Sequence, residues 1–519
     1  MNETDQTDAI AFLGSGSAHG CAADDVGRVE THGALVFLGP RDAFKIKRAV
    51  CFPYMDLTTL ASRRRLCGRE FELNAAQAPD LYLGVVPIVR RSDGSLGIGG
   101  DGEPIEWALH MRRFAANALM SHKADSAGID TRLAVDIADA VFYYHATAVP
   151  RTDVAPRARM EAVIAGLAAG LATQPTTFDR QDVGRLIVAC RSALDQATGV
   201  LEARAAAGHV RRCHGDLHLD NIVQWRGRPV LFDALEFDED LATVDTLYDL
   251  AFLLMDLDVR ERRGAANVVL NRYLWRSGVI IDLDGLAALP LFQAARAAVR
   301  AMVLAQRAAL KIGDGPAGEE TCRRAAAYLR AAHGYLTVPA PSLLAVGGMS
   351  GTGKSTLAAA LAPGIGAAPG AVILRSDLER KAMLGVEETA RLPDEAYTQE
   401  INRKVYDRLL ARARAALLAG HAAIIDAAFL QSSERREAEA LAAAISVPFT
   451  GLWLTAPPDI LAARIESRVG DASDATVAVL RKQMAWHPDG AGWLSIDASG
   501  EAARTLANAR CALGMRAAD

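Results

Sequence analysis

The sequence predicts a multidomain α/β protein built from two unlike units. Strand-like segments cluster between Val29 and Val89 and then give way to long helical stretches. After residue 342, short apolar strands alternate with helices, the pattern of a doubly wound parallel sheet. Between the two, Val338-Pro339-Ala340-Pro341-Ser342 reads as a linker, because its prolines end a helix and favour extended backbone. A chain of 519 residues accommodates roughly three or four folding units at about 150 residues each.

Residues 1–27 are rich in Gly, Ser, Ala and Asp without sustained periodicity and predict an irregular N-terminal arm. The first unit is placed at 28–337, with a small lobe over about 28–108 and a helical large lobe over about 109–337. In the small lobe, Ala34 to Leu38 and Ala43 to Val50 predict a hairpin about the turn Gly39-Pro40-Arg41-Asp42. Leu60 to Ala78 predicts a charged helix and Leu81 to Val89 a further strand. Helices are predicted over Leu133 to Ala148, Arg157 to Ala172, Asp182 to Ala206 and Asp249 to Asp256. Leu289 to Tyr335 is helical apart from a break at Gly313-Asp314-Gly315-Pro316. The linker occupies 338–341, and 342–519 carries predicted strands at Leu343 to Val346, Ala371 to Leu374, Ala422 to Ile425 and Thr450 to Leu454.

With 51% apolar and 23% charged residues the chain is globular rather than disordered. The net charge is only -5, and 19 Lys and Arg face 20 Asp and Glu from Ser342 onward, so no extended nucleic-acid surface is expected. Seven cysteines are scattered without a CxxC pair, which fits reduced thiols in the cytoplasm. The first residues, Met-Asn-Glu-Thr-Asp, lack a basic export region, and the apolar run Leu250 to Met255 is broken by Asp256 and Asp258, so no membrane segment is expected.

Two motifs carry chemistry. In His214-Gly215-Asp216-Leu217-His218-Leu219-Asp220-Asn221, Asp216 and Asn221 stand at the spacing of a kinase catalytic loop, and Asp233 follows on a predicted strand. Asp216 can orient an attacking hydroxyl and accept its proton, while Asn221 and Asp233 can hold Mg2+ against nucleotide phosphates. A lysine for those phosphates should come from an early strand and be held by a helix glutamate; Lys47 and Glu70 are assigned, with Lys45 and Glu72 as competitors because alternation puts both lysines on one face. Thr31-His32-Gly33 is a candidate phosphate cover, and Glu236 a further candidate near the metal. His214 and His218 are read as bracing the loop. Asp249 is read as a helix N-cap.

His-Gly-Asp-x-His-x-x-Asn followed by Phe232-Asp233 resembles the aminoglycoside phosphotransferase-like kinases, the family that includes choline, fructosamine and antibiotic kinases. The resemblance covers roughly residues 30–335 and implies a bilobal protein-kinase-like fold. Leu219-Asp220 stands where that family usually has Pro-Gly, and Asp245 and Asp249 resemble its post-motif aspartates, although a helix N-cap is the favoured reading of Asp249.

The second motif, Gly348-Met349-Ser350-Gly351-Thr352-Gly353-Lys354-Ser355, follows a predicted strand and precedes the helical run Thr356 to Leu361, the setting of a Walker A loop. Its amides, from Gly348, Ser350, Gly351, Thr352, Gly353 and on to Thr356, can cradle phosphates; Lys354 can bridge the terminal phosphates and Ser355 can ligate Mg2+. Asp377 can activate an acceptor hydroxyl or simply cap a helix, and Arg380 can hold the acceptor. Asp426 ends a Walker B-like strand, where it either organises Mg2+ through water or caps the strand. Arg464 and Arg468 lie four apart on a predicted helix before Gly470-Asp471-Ala472-Ser473-Asp474-Ala475; they suit a closing lid, or else a solvated face.

Residues 342–519 resemble the small P-loop kinases of the gluconate kinase, polynucleotide 5'-hydroxyl kinase and chloramphenicol phosphotransferase group, through Ser376-Asp377-x-x-Arg380-Lys381 and Arg464-x-x-x-Arg468. The pairing of the two units resembles the bacterial bifunctional aminoglycoside phosphotransferase/ATP-binding fusion family. The implied activity is a two-site, Mg2+-dependent transfer from ATP to a hydroxyl of a small molecule, a nucleotide or a 5'-hydroxyl nucleic-acid end. The competing expectation is a nucleotide-gated regulatory protein whose modules bind ATP without phosphorylating a free substrate.

Overall fold

The computed structural model describes residues 6–31, 33–52, 55–310, 316–468, 470–485 and 492–515. The predicted phosphate cover at His32 and the break at 313–315 therefore lie outside the described residues.

The small lobe is a six-stranded antiparallel sheet in the spatial order Gly27–Glu30, Ala34–Leu38, Asp42–Lys47, Glu103–Arg112, Tyr82–Arg90, Leu96–Ile98. Strand alternation sends Leu35, Phe37, Phe44 and Ile46 to one face and Lys45 and Lys47 to the other. The apolar face is covered by the helix Thr7–Gly14, whose Ala9 and Leu13 are buried against it. The expected irregular arm is thus in part a folded element. Gln6 fastens its start, donating to Lys47 O at 2.8 Å and to Glu106 at 2.6 Å and accepting from Ala49 N. Ala9 and Leu13, one turn apart, carried that signal, and the Gly and Ser around it obscured it. The strand Glu103–Arg112 runs across the predicted lobe boundary at residue 108.

The lysine-bearing face packs on the helix Leu60–Ala75, N-capped by Thr59. Below lies the large lobe, whose helices include Thr131–Thr147, Pro156–Ala172, Arg180–Ala206, Thr246–Val259, Arg263–Ser277, Leu289–Leu310 and Pro316–Tyr335. Ile280–Ala309 is long and apolar enough to cross a membrane by composition, but 67% of its most apolar window is buried in the protein's own core. A hairpin, Ile222–Trp225 with Arg228–Leu231, follows the catalytic-loop motif.

Residues from Leu343 form a five-stranded parallel sheet in the order Val372–Arg375, Ala423–Asp426, Leu343–Gly348, Phe449–Thr455, Leu494–Asp497. The first strand in sequence is central, so its C-terminal end lies at the point where strand order reverses, the place where such sheets bind ligands. The fifth strand has too alternating a character to stand out in the sequence; only Ile496 of its four residues is buried.

The two units share a continuous apolar core rather than hanging from a linker. The outer edge of Val372–Arg375 is closed by the large lobe: Asn271 accepts from Ile373 N at 2.7 Å, and Asn267 and Asn271 both donate to Ala371 O. Arg412, from the helix Gln399–Leu418, donates to Gly278 O and Leu274 O and so satisfies the C-terminal carbonyls of Arg263–Ser277. His421 is fully buried, and neither ring nitrogen has a well-formed hydrogen-bond partner. Burial lowers its pKa from 6.5 to about 4, with a small opposing contribution from the Leu286 carbonyl.

Between those values the unfolded chain takes up a proton that the folded chain refuses, so stability falls as pH drops through this window, by about 3 kcal/mol in all. In denaturant titrations at pH 7 and pH 4.5, His421→Leu is expected to lose about 2 kcal/mol less than wild type between the two.

Candidate active sites

The first site lies between the lobes and is organised by Glu70. Its side chain is fully buried and accepts from Lys45 Nζ at 2.8 Å and Lys47 Nζ at 2.6 Å. Lys45 also reaches Asp233 Oδ1 at 2.5 Å, and Lys47 is paired with Glu236. Burial opposes charge on both ammoniums, but Asp233, Glu70 and Glu236 outweigh it and hold Lys45 well above its ordinary value; Glu236 and Glu70 do the same for Lys47. Glu72 is exposed and bound by Arg69, which removes it from the site. The assigned pair of Lys47 with Glu70 forms, and the competing Lys45 joins it on the same carboxylate; Lys45 also reaches Asp233, and Lys47 reaches Glu236.

Asp233 sits at φ 60°, an uncommon conformation for a residue with a side chain, and its N–H donates to Tyr82 Oη at 3.0 Å. Asp216 and Asn221 come together as the spacing requires, Asn221 Nδ2 donating to Asp216 Oδ2 at 3.0 Å and to Asp216 O at 2.9 Å. Partial burial works against the Asp216 carboxylate, but His218, Arg300 and His214 hold it well below the usual range. It is therefore held in its ionised form.

The loop is held from beneath by residues that sequence reasoning missed or misread. Asp249 is not an N-cap; Asp245 caps Thr246–Val259 by accepting from Leu247 N. Asp249 instead lies inside that helix, fully buried, and accepts from His214 N at 3.0 Å, Gly215 N at 2.9 Å and His145 Nε2 at 3.1 Å. Arg296 donates to Gly215 O, and Asp256 accepts from Leu219 N at 3.0 Å. His214 braces the loop against Phe232 O, and His218 accepts from Asp220 N, as expected of them. Asp249 and Asp256, both fully buried in a largely apolar helix, were the available signal, since a buried carboxylate must have partners.

The second site is the loop after Leu343–Gly348. Gly348, Gly351 and Gly353 take φ of 137°, 86° and 87°, and a Cβ on Gly351 would lie 2.7 Å from Leu461 O. The turn delivers Lys354, Ser355 and Thr356 to the first turn of the helix Lys354–Leu361, an anion-binding geometry. Lys354 Nζ donates to Met349 O at 3.0 Å, Thr352 Oγ1 donates to the same carbonyl, and Ser350 N donates to Gln483 Oε1. Burial pushes Lys354 down, against Asp426 and Asp377. Asp426 is 2% exposed and its Oδ2 has no hydrogen-bond partner; burial raises its pKa while Arg375, Lys354 and Ser355 oppose the rise. A carboxylate oxygen with spare capacity beside Ser355 fits a water-mediated Mg2+.

Asp377 lies in the first turn of Ser376–Met383, makes no capping bond and stands 4.0 Å from Arg375. Arg375, missed in the sequence, also lies 3.8 Å from Asp426 and pairs with Asp471. The two arginines expected on one helical face separate, because the helix Pro458–Glu466 ends before Arg468. Arg464 donates to Ala498 O at 2.8 Å and Gly500 O at 2.6 Å and lines a cleft of about 610 Å³ with Thr352, Gly353, Thr356 and Thr505. Arg468 turns towards Asp471 at 3.6 Å. Arg380 is buried beside Tyr397.

The fold and sites define the class: a protein-kinase-like bilobal unit fused to a P-loop unit of kinase type. Residues 343–489 match a family model described as an AAA domain. The choline/ethanolamine kinase family protein of Mesorhizobium loti is similar over 64% of this chain and 96% of its own, at 14% identity and a TM-score of 0.39. A gluconokinase from Sinorhizobium meliloti is similar over 34% of this chain and 92% of its own, at 21% identity and a TM-score of 0.24. The uncharacterized protein Rv2004c of Mycobacterium tuberculosis is 32% identical over 488 residues, covering 92% of this chain and 94% of that protein, and a Mycobacterium bovis relative matches equally. The chain belongs to the family of these mycobacterial proteins.

Replacing Glu70 by Gln leaves two buried ammoniums without their shared anion and is expected to cost roughly 3–5 kcal/mol. Glu72→Gln, on an exposed side chain, should stay within about 0.5 kcal/mol. Thermal unfolding of the two variants measures the difference.

Proposed function

We propose that each unit transfers the γ-phosphate of ATP to a hydroxyl of a small-molecule or nucleotide-like acceptor, giving one cytoplasmic chain two active sites. The observation that carries this reading is that Lys45 joins Glu70 to Asp233, while Asn221 bonds both Asp216 and, through its backbone carbonyl, the N–H of Phe232 beside Asp233. Asn221 and Asp233 would hold Mg2+ at the first site, and Ser355 with Asp426 at the second, where the ion would neutralise phosphate charge. At the first site Asp216 orients the acceptor and takes its hydroxyl proton as the oxygen bonds to the γ-phosphorus and ADP leaves. Asp377 would play the same part at the second site, with Lys354 along the phosphates and Arg468 and Arg375 placed to meet transferred charge. Arg464 lines the cleft at the nucleotide's far end.

The test is ATP-dependent mass gain across hydroxyl-bearing metabolites, aminoglycosides and 5'-hydroxyl oligonucleotides. Asp216→Asn should reduce one set of products by about 100-fold or more, and Lys354→Ala a different set by a similar factor. Transfer that survives both substitutions unchanged would remove the assignment of both sites. ATP binding without acceptor-dependent ADP release across the panel would favour a nucleotide-gated regulator.

A further inference from the structure

The peptide unit that joins Met349 to Ser350 is held at both ends. Its carbonyl accepts from Lys354 Nζ at 3.0 Å and from Thr352 Oγ1 at 2.8 Å, while its N–H donates to Gln483 Oε1 at 2.8 Å. The unit is trans, so C=O and N–H point in opposite directions, and the bond to Gln483 fixes which way the carbonyl faces. That carbonyl is the acceptor on which Lys354 rests. A cation at the oxygen end polarises the peptide and strengthens its N–H as a donor, so the two ends support each other. A backbone N–H can only donate, which selects the oxygen of the carboxamide; among the described residues the Nε2 of Gln483 makes no hydrogen bond, so the side chain is committed to this one contact.

Gln483 comes from the helix Val477–Ala485, 133 residues beyond Ser350. Leu480 and Met484 of that helix, at helical spacing around Gln483, pack with Leu461, Ile465 and Met349 in one apolar cluster. The helix is thus anchored on the side chain of the same Met349 whose carbonyl receives Lys354.

We propose that Gln483 is a positioning residue of the second site: by holding the Ser350 N–H it orients the Met349 carbonyl, and through that carbonyl it places the Lys354 ammonium for the terminal phosphates of the nucleotide. The proposal rests on the reading of residues 342–519 as an ATP-dependent kinase. A lysine is a point charge on a flexible stem, so its value at a phosphate site depends on an acceptor that holds it in place before the phosphates arrive. Because Gln483 acts through its oxygen alone, Gln483→Met removes the effect at nearly constant length, and Gln483→Glu retains an acceptor for Ser350 N–H.

The experiment follows acylation of lysine amines in the nucleotide-free full chain by mass spectrometry of its peptides, with exposed Lys404 as reference. Gln483→Met should raise the rate at Lys354 about 3- to 10-fold, the factor expected from losing one neutral hydrogen bond. It should weaken Mg-ATP by a similar factor at the site that Lys354→Ala abolishes, read by calorimetric titration. Gln483→Glu should leave the Lys354 rate at or below that of the wild type. A rise at Lys354 in both variants or in neither overturns the proposal, as does a rise in Gln483→Met with Mg-ATP affinity unchanged. A rise shared by the other lysines marks a general loosening of the fold and overturns it too, since placement affects Lys354 alone. In the wild type, Mg-ATP should slow acylation of Lys354. If it does not, the kinase reading of residues 342–519 fails, while the nucleotide-free rates still decide whether Gln483 places Lys354.

Discussion

A buried charge costs several kcal/mol unless its partners are in place, and this requirement fixes the working geometry of both units. Glu70 can be fully buried only because two ammoniums meet it, and meeting it brings Lys45 to Asp233 across the lobe interface. Asp249 is tolerated inside a helix because the loop amides of His214 and Gly215 satisfy it. Glu379 sits between Arg408 and Arg412 and so fixes the helix that carries Asp377 and Arg380. In each case the catalytic segment is held by a carboxylate that would be intolerable if the segment moved away.

Much of this was legible in the sequence because it is local. Asp216 and Asn221 are separated by a single turn of loop, and the Walker A loop is one continuous run between a strand and a helix, so spacing alone fixed their geometry. The choice between Lys45 and Lys47 was not local: alternation placed both on one face, and only the approach of Asp233 and Glu236, nearly 190 residues later, separated them. Asp249 misled for a related reason. Near a helix start an aspartate reads as a cap, and the amides it serves lie 34 and 35 residues upstream. The pairing of Arg464 with Arg468 failed because it assumed that the helix continued, whereas the chain leaves it at Ser467. The helix Thr7–Gly14 was hidden by flanking glycine and serine, although its burial of Ala9 and Leu13 closes the small-lobe sheet.

The joint between the units was the least legible feature, since prolines at a boundary suggest a tether. Here the large lobe completes the P-loop unit. An edge strand exposes a row of unpaired backbone groups, and Asn271 meets two of those of the strand Val372–Arg375, with Ile373 N donating to it and Ala371 O accepting from it. The side chain thus acts as a short substitute for a sixth strand. Arg272 adds an ion pair to Glu388, and Trp275 donates to Leu378 O on the helix Ser376–Met383. The helix Ser376–Met383 of the second unit therefore takes part of its support from the first.

These contacts form an unbroken chain from one site to the other. Asp249, which holds the loop of Asp216, is bonded to His145, whose other ring nitrogen lies 3.0 Å from Tyr273 Oη on the helix Arg263–Ser277. The next residue on that helix, Leu274, offers its carbonyl to Arg412, and Arg412 lies against Glu379 on the helix of Asp377. Contiguity of this kind is not coupling, because coupling needs an element with two arrangements that both sites bias. Every member of the chain is buried, and Arg412 and Glu379 are each pinned by a second partner, Gly278 O and Arg408, so the arrangement favours rigidity over signalling. Its physical consequence is to fix the loop of Asp216 and the helix of Asp377 on one frame.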